Sequence, residues 1–124
     1  MSVVVSYQGE PGAFSSQAAL QVFPDCELLP CRTFEDALAA VSDGAARYGM
    51  IPIDNSIAGR VADIHHLLPR SGLHIIGEHF LPIRFHLMAV EGATLATLKT
   101  VQSHIHALGQ CRKIIRKLGL KAEV

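Results

Sequence analysis

Hydrophobic and polar positions along the chain switch between a two-residue and a 3.6-residue period, which predicts short strands alternating with amphipathic helices. Ser2–Tyr7, rich in Val, reads as a buried strand. The turn Gly9-Glu10-Pro11-Gly12 follows it, and a helix runs from about Phe14 to Phe23, stopped by Pro24. Cys26–Pro30 reads as a second short strand. Thr33 is the expected N-cap of the next helix, with Asp36 three residues on. Phe34, Ala37, Leu38 and Val41 form its inner stripe and Gly44 its stop. Tyr48–Ile53 reads as a third strand and Asp54–Gly59 as a loop. A third helix shows Val61, Ile64 and Leu68 on its inner face and ends at Pro69-Arg70-Ser71-Gly72.

From Leu73 the pattern changes. Two β-rich runs, Leu73–Phe80 and Ile83–Val90, are separated by Leu81-Pro82 with no helix between them, so they either connect two lobes or pair antiparallel. Thr100–Ser103 reads as a strand leading into a helix with the stripe Ile105, Leu108, Cys111, Ile115 and Leu118, ended by Gly119. Leu120–Val124 reads as the start of another strand, and the domain is expected to continue beyond it. The expected class is α/β: mainly parallel sheets, helices on both faces, and ligand contacts from loops at the carboxyl ends of the strands.

Composition narrows the function. Lys plus Arg number 11 and Asp plus Glu 11, and the one basic cluster, Arg112, Lys113, Arg116 and Lys117, fits a solvated helix face. Nucleic acid is therefore not an expected partner. No apolar run approaches the roughly 18 residues of a membrane span, so no membrane role is expected. Met1–Ser6 lacks a basic leader region, which points to a cytoplasmic protein. Cys26, Cys31 and Cys111 form an odd set without metal spacing and read as free, mostly buried thiols.

Three loops could carry chemistry. In Gly9–Ser16, glycines let backbone N–H groups approach an anion, and Ser15 or Ser16 adds a hydroxyl near a helix start. The loop has neither the third glycine of a dinucleotide fingerprint nor the Gly-Lys-Ser/Thr of a Walker loop, and a plain turn with a serine cap explains it as well. In Pro52–Gly59, Asn55 and Ser56 can donate to carboxylate or hydroxyl oxygens, while Asp54 only accepts unless protonated. Asx-turn and capping roles explain the same residues. In Ser103–Leu108, Ser103 is the expected N-cap and His104 the residue best suited to move a proton near neutral pH. Arg32 and Arg60, near two helix starts, either pair with a ligand carboxylate or are simply solvated. The histidines do not fall at metal spacing: His65 and His66 diverge on a helix, and His74 and His86 lie on β runs. Neither a metal nor a cofactor is expected.

Taken in order, these loops resemble prephenate dehydratase. Tyr7-Gln8-Gly9-Glu10-Pro11-Gly12-Ala13-Phe14-Ser15 resembles the family's Tyr-x-Gly-x-x-Gly-x-Phe-Ser. Pro52-Ile53-Asp54-Asn55-Ser56 is similar to its Pro-Ile-Glu-Asn-Ser, and Ser103-His104-Ile105-His106-Ala107-Leu108 to its Ser-His-Pro-Gln-Ala-Leu. Thr33-Phe34-Glu35-Asp36 and Gly77-Glu78-His79 fall where the family has comparable residues. The resemblance implies a carbon–oxygen lyase of phenylalanine biosynthesis that converts prephenate to phenylpyruvate, with loss of water and carbon dioxide. It implies a two-lobed fold like type II periplasmic binding proteins, with lobe 1 at about 1–75 and an incomplete lobe 2 at about 76–124. It also implies a homo-oligomer in the full-length form. Asn55, Ser56 and Ser103 would line the substrate pocket, with Gly12 and Ser15 beside them and His104 as a further candidate.

The chain departs from the family at Asp54, where the family has Glu, and at Ile105 and His106, where it has Pro and Gln. The family's Thr-Arg-Phe motif, whose Thr and Arg are central to catalysis and substrate binding, is missing, and so is its ACT domain. Arg32-Thr33-Phe34 has a different order and position. These residues alone are therefore expected to be inactive. Arogenate dehydratase, or a non-catalytic small-anion binding module of the same fold, are the competing readings. An exported solute-binding protein would need a signal sequence, and an effector-sensing domain usually follows a DNA-binding segment.

Overall fold

In a computed structural model, which describes residues 2–57 and 59–124, the Val-rich run becomes β1 (Val4–Gln8). It is the middle strand of a parallel sheet with β2 (Glu27–Cys31) and β3 (Tyr48–Gly49), in the order β2-β1-β3. Val4 lies opposite Glu27, and Val5 opposite Tyr48. The helix α1 (Phe14–Val22) carries the chain from the centre to one edge, and α2 (Phe34–Ser42) carries it back past β1 to the other. Right-handed crossovers that reverse direction place their helices on opposite faces. Ser6 fixes α2 on its own face by donating from Oγ to the Ala37 carbonyl over 2.7 Å. Val5 and Tyr7 project to the other face and are fully buried. A central strand covered on both sides has no need of polar alternation, which explains its continuous apolar run.

Small residues let the layers close. Ala18, Ala19, Ala37 and Ala46 are buried. A Cβ on Gly49 would lie 3.3 Å from Val41 Cγ2 and 3.4 Å from Ser6 Oγ, so glycine there admits α2. Thr33 Oγ1 accepts from the Asp36 N–H over 3.0 Å and caps α2. Phe23 stacks on Tyr48 with ring centroids 4.8 Å apart, and Arg47 lies 5.8 Å over the Tyr48 ring. A two-residue antiparallel ladder of β4 (Asp54–Asn55) and β5 (Gly59–Arg60) leads into α3 (Ala62–Leu67) and a 3-10 turn (Leu68–Arg70). Ile64 of α3 is fully buried.

These elements belong to one compact unit, running to Asn55 and from Gly59 to Ile83. Ser56, Ile57 and Arg84–Val124 belong to a second. There β6 (Thr100–Gln102) and β7 (Lys121–Glu123) pair in parallel, joined by α4 (Ile105–Gln110) and α5 (Arg112–Lys117). The fold is mixed α/β with parallel sheets.

Several expectations need correcting. Leu73–Phe80 and Ile83–Val90 form no strand, because a strand needs a hydrogen-bonding neighbour and none among the described residues pairs with them. The third strand ends at Gly49 rather than Ile53. The Asp54–Gly59 loop contains the β4–β5 ladder; its Ala58, like Met1, lies outside the described residues. The second strand is shifted by one residue, so Cys26 precedes it, and all three thiols are half-buried. The last helix is broken at Cys111, whose N–H is shared between Ala107 O at 3.1 Å and Leu108 O at 3.2 Å. Gly109 weakens the turn before that break. Of the expected inner stripe only Leu108 is buried, and Ile105 is 58% exposed.

Candidate functional site

In a doubly wound sheet, ligands bind beyond the carboxyl ends of adjacent strands whose connections leave to opposite faces. In the first unit that switch point lies at β1 and β3, which are direct neighbours. The Gly9–Ser15 loop leaves β1 there, and the segment through Asn55 leaves β3. The third motif, Ser103–Leu108, leaves the carboxyl end of β6 within the second unit.

The glycine loop is held from inside. The Gly9 N–H donates to the Cys31 carbonyl over 2.9 Å and the Ala13 N–H to the Glu10 carbonyl over 3.0 Å. The Gly12 N–H donates to Ser16 Oγ over 3.0 Å, and Ser16 Oγ in turn donates to the Ala13 carbonyl over 2.6 Å. Positive φ angles at Gly9 and Gly12 (125° and 93°) make this path accessible to glycine. The Gly12 N–H is thus engaged by Ser16 within the loop. Ser16 is buried, whereas Ser15 is half-buried on the first turn of α1. Ala13, at the N-cap, supplies no side-chain cap.

Asn55 is half-buried at the inner end of the β4–β5 ladder, opposite Gly59. Asp54 lies opposite Arg60 in register and is exposed, as are Arg32, Ser56 and Arg60. In the second unit, the Ser103 N–H is drawn into the β6–β7 pairing by the Glu123 carbonyl at 3.1 Å. The cap of α4 consequently falls on His104, not Ser103: its Nδ1 accepts from the His106 N–H over 3.3 Å. An accepting Nδ1 places the proton of a neutral ring on Nε2, where it can be donated outward. The His104 and His106 rings lie 5.0 Å apart.

Beneath the glycine loop, Tyr7 is buried and its hydroxyl finds no partner among the described residues. Burial, reinforced by Glu10 and Cys31, raises its pKa above the ordinary tyrosine value. Burial also raises that of Cys31; Asp36 adds to this and a hydrogen bond to the Tyr7 backbone opposes it. Sequence reasoning missed a cavity of about 420 Å³ lined by Gln8, Thr33, Phe34, Glu35, Asp63, His66 and Leu67. The signal was available, since Thr33–Glu35 also follows a strand's carboxyl end. With Glu35 and Asp63 on its wall and no Lys or Arg, this cavity is a poor host for a dianion.

The prephenate dehydratase family model matches residues 5–124. The chain is 46% identical over 117 residues to a bifunctional N-acyl-homoserine lactone acylase/prephenate dehydratase of Komagataeibacter europaeus, covering 94% of this chain and 42% of that protein. It is 41% identical to the chloroplastic arogenate dehydratase/prephenate dehydratase 2 of Arabidopsis thaliana, covering 98% and 32%. The crystal structure of prephenate dehydratase from Arthrobacter aurescens in complex with L-Phe superposes with a TM-score of 0.86 at 32% identity, covering 98% and 42%. The chain thus spans less than half the length of each of these proteins. By the family match across nearly all its residues, the chain belongs to the prephenate dehydratase family.

Proposed function

We propose that this chain supplies part of the substrate site of a decarboxylating dehydratase that makes phenylpyruvate from prephenate on the route to phenylalanine. The observation that carries this reading is the family match over residues 5–124, which takes in all three motif loops. Prephenate is a dicarboxylate with a ring hydroxyl. As its C–C bond to the ring carboxylate breaks, the electron pair enters the ring, the C–O bond breaks on the far side, and a proton converts departing hydroxide to water. Aromatisation drives the step, so the protein has to position the dianion and donate hydrogen bonds as charge moves. We assign that donation to the Asn55 amide and the hydroxyls of Ser56 and Ser103, with Gly12 and Ser15 shaping the loop beside them. His104, with its proton on Nε2, is the candidate donor to the leaving hydroxyl. We further assign the chain to a two-lobed fold like type II periplasmic binding proteins, with lobes at about residues 1–75 and 76–124. The complete gene product is assigned as a cytoplasmic homo-oligomer.

The test is turnover by the purified gene product without added metal. Phenylpyruvate should appear from prephenate, and Asn55→Ala or Ser103→Ala should slow it about 10- to 1000-fold. A well-folded product that releases none would refute the assignment, and binding without release would make it a binding module. Arogenate offered in parallel decides between the keto and amino substrates, since relatives carrying both names match this chain. The Komagataeibacter relative favours a second reading, hydrolysis of an N-acyl-homoserine lactone. Release of free homoserine lactone amine, undiminished in the Asn55→Ala protein, would place that activity elsewhere.

A further inference from the structure

We propose that Ser16, which lies one residue beyond the family-like motif, is a positioning residue: it clamps the glycine loop in the shape that receives substrate. This rests on the dehydratase reading above. Ser16 is 2% exposed, and there a hydroxyl is costly unless both its donor and its acceptor capacity are used. Both are used on the loop itself. Oγ accepts from the Gly12 N–H at 3.0 Å and donates to the Ala13 carbonyl at 2.6 Å. The Gly12 carbonyl is engaged as well, by Gln17 Nε2 at 3.3 Å. The peptide on either side of Gly12 is thus tied to the first two turns of α1, and α1 packs on β1. Gly12 is exposed and a Cβ there would meet nothing within 4 Å, so packing does not hold this peptide in place. Hydrogen bonds do. The clamp turns the Gly12 N–H toward Ser16 Oγ.

A loop that meets substrate and transition state alike acts through uniform binding, so loosening it raises KM and leaves kcat nearly unchanged. The experiment uses the complete gene product as wild type, Ser16→Ala and Ser16→Cys. Cysteine fills the volume but hydrogen-bonds weakly, so it separates the hydroxyl from its bulk. Both variants should exchange the Gly12 amide about tenfold faster, the factor expected for loss of one ordinary hydrogen bond, while the Val5 amide stays protected. Both should raise KM for prephenate about 3- to 30-fold with kcat within about twofold. Unchanged Gly12 exchange and KM would overturn the proposal. So would faster exchange at Val5 together with a fall in kcat, which marks a merely structural residue. A Ser16→Cys protein behaving as wild type would show that volume alone matters and would overturn it too. If the wild type fails to turn over prephenate while Gly12 exchange responds as stated, the dehydratase reading fails and the clamp itself stands.

Discussion

The two units solve the same problem, a parallel βαβ arrangement, with very different results. In the first, the central strand of a three-stranded sheet is covered from both faces, and Val5, Tyr7, Ala19, Ala37 and Ile64 are completely shielded from solvent. In the second, two strands and two one-and-a-half-turn helices bury only Leu108 among the described residues. Ile105, Ile114 and Val90 remain 58%, 49% and 83% exposed. The difference teaches that a covered central strand, more than apolar content, makes a core. A two-stranded sheet has only edges. The sharpest way to break the comparison is to cut matched apolar side chains. Ile64→Ala should cost about 2–5 kcal/mol in chemical denaturation, because the shielded site leaves a cavity. Leu108→Ala should cost about half as much or less, since solvent and exposed neighbours relax into the gap. Equal losses at the two positions would show that the units are equally consolidated.

The helix caps give a finer version of the same contrast. Thr33 Oγ1 meets the Asp36 N–H at 3.0 Å, whereas His104 Nδ1 meets the His106 N–H at 3.3 Å, two residues away on a six-residue helix. Thr33→Ala should therefore cost about 1 kcal/mol, near the usual value of a threonine cap. His104→Ala should cost about 0.5 kcal/mol or less in stability. Any large effect of that substitution should appear in turnover, as the proton role assigned to His104 requires. A His104→Ala protein with full activity would return that histidine to a purely local duty.

What could be read from the sequence follows the same division. The elements β1, α1, β2 and α2 were legible within one or two residues because local signals agree: Val-rich run, Pro24 stop, Thr33 cap and Gly44 end. The runs Leu73–Phe80 and Ile83–Val90 were misread because strand pairing depends on a partner that local pattern cannot supply. The cap shifted from Ser103 to His104 for a related reason, since the Glu123 carbonyl, distant in sequence, captures the Ser103 N–H. At the candidate site, the glycine turn was legible from turn chemistry, whereas the strand position of Asn55 was not. Which serine faces inward was not, because neighbours on a helix differ by about 100° and only packing decides between Ser15 and Ser16.

The smallest expected effect at neutral pH is at the centre of the better-formed unit. Tyr7 sends a hydroxyl into the interior where no described group receives it. Tyr7→Phe removes that uncompensated group and keeps the ring, so it should leave stability unchanged or raise it by up to about 1 kcal/mol at pH 7. The sign reverses nothing at acid pH but has consequences in alkali. With the folded pKa raised above the ordinary value of 10.0, the unfolded chain loses this proton first as pH rises. Stability contributed by the neutral phenol is complete below about pH 10 and is lost as pH climbs towards the folded value. Tyr7→Phe should abolish that part of the alkaline decline. Cys31, raised from 9.0, contributes a second part with the same sign that begins lower, and Cys31→Ala should remove it. Denaturation midpoints measured from pH 7 to 11 on both variants would separate the two. If Tyr7→Phe declined in alkali as steeply as the wild type, the phenol would have to be in contact with solvent, and the covered-strand account of this unit would lose its central residue.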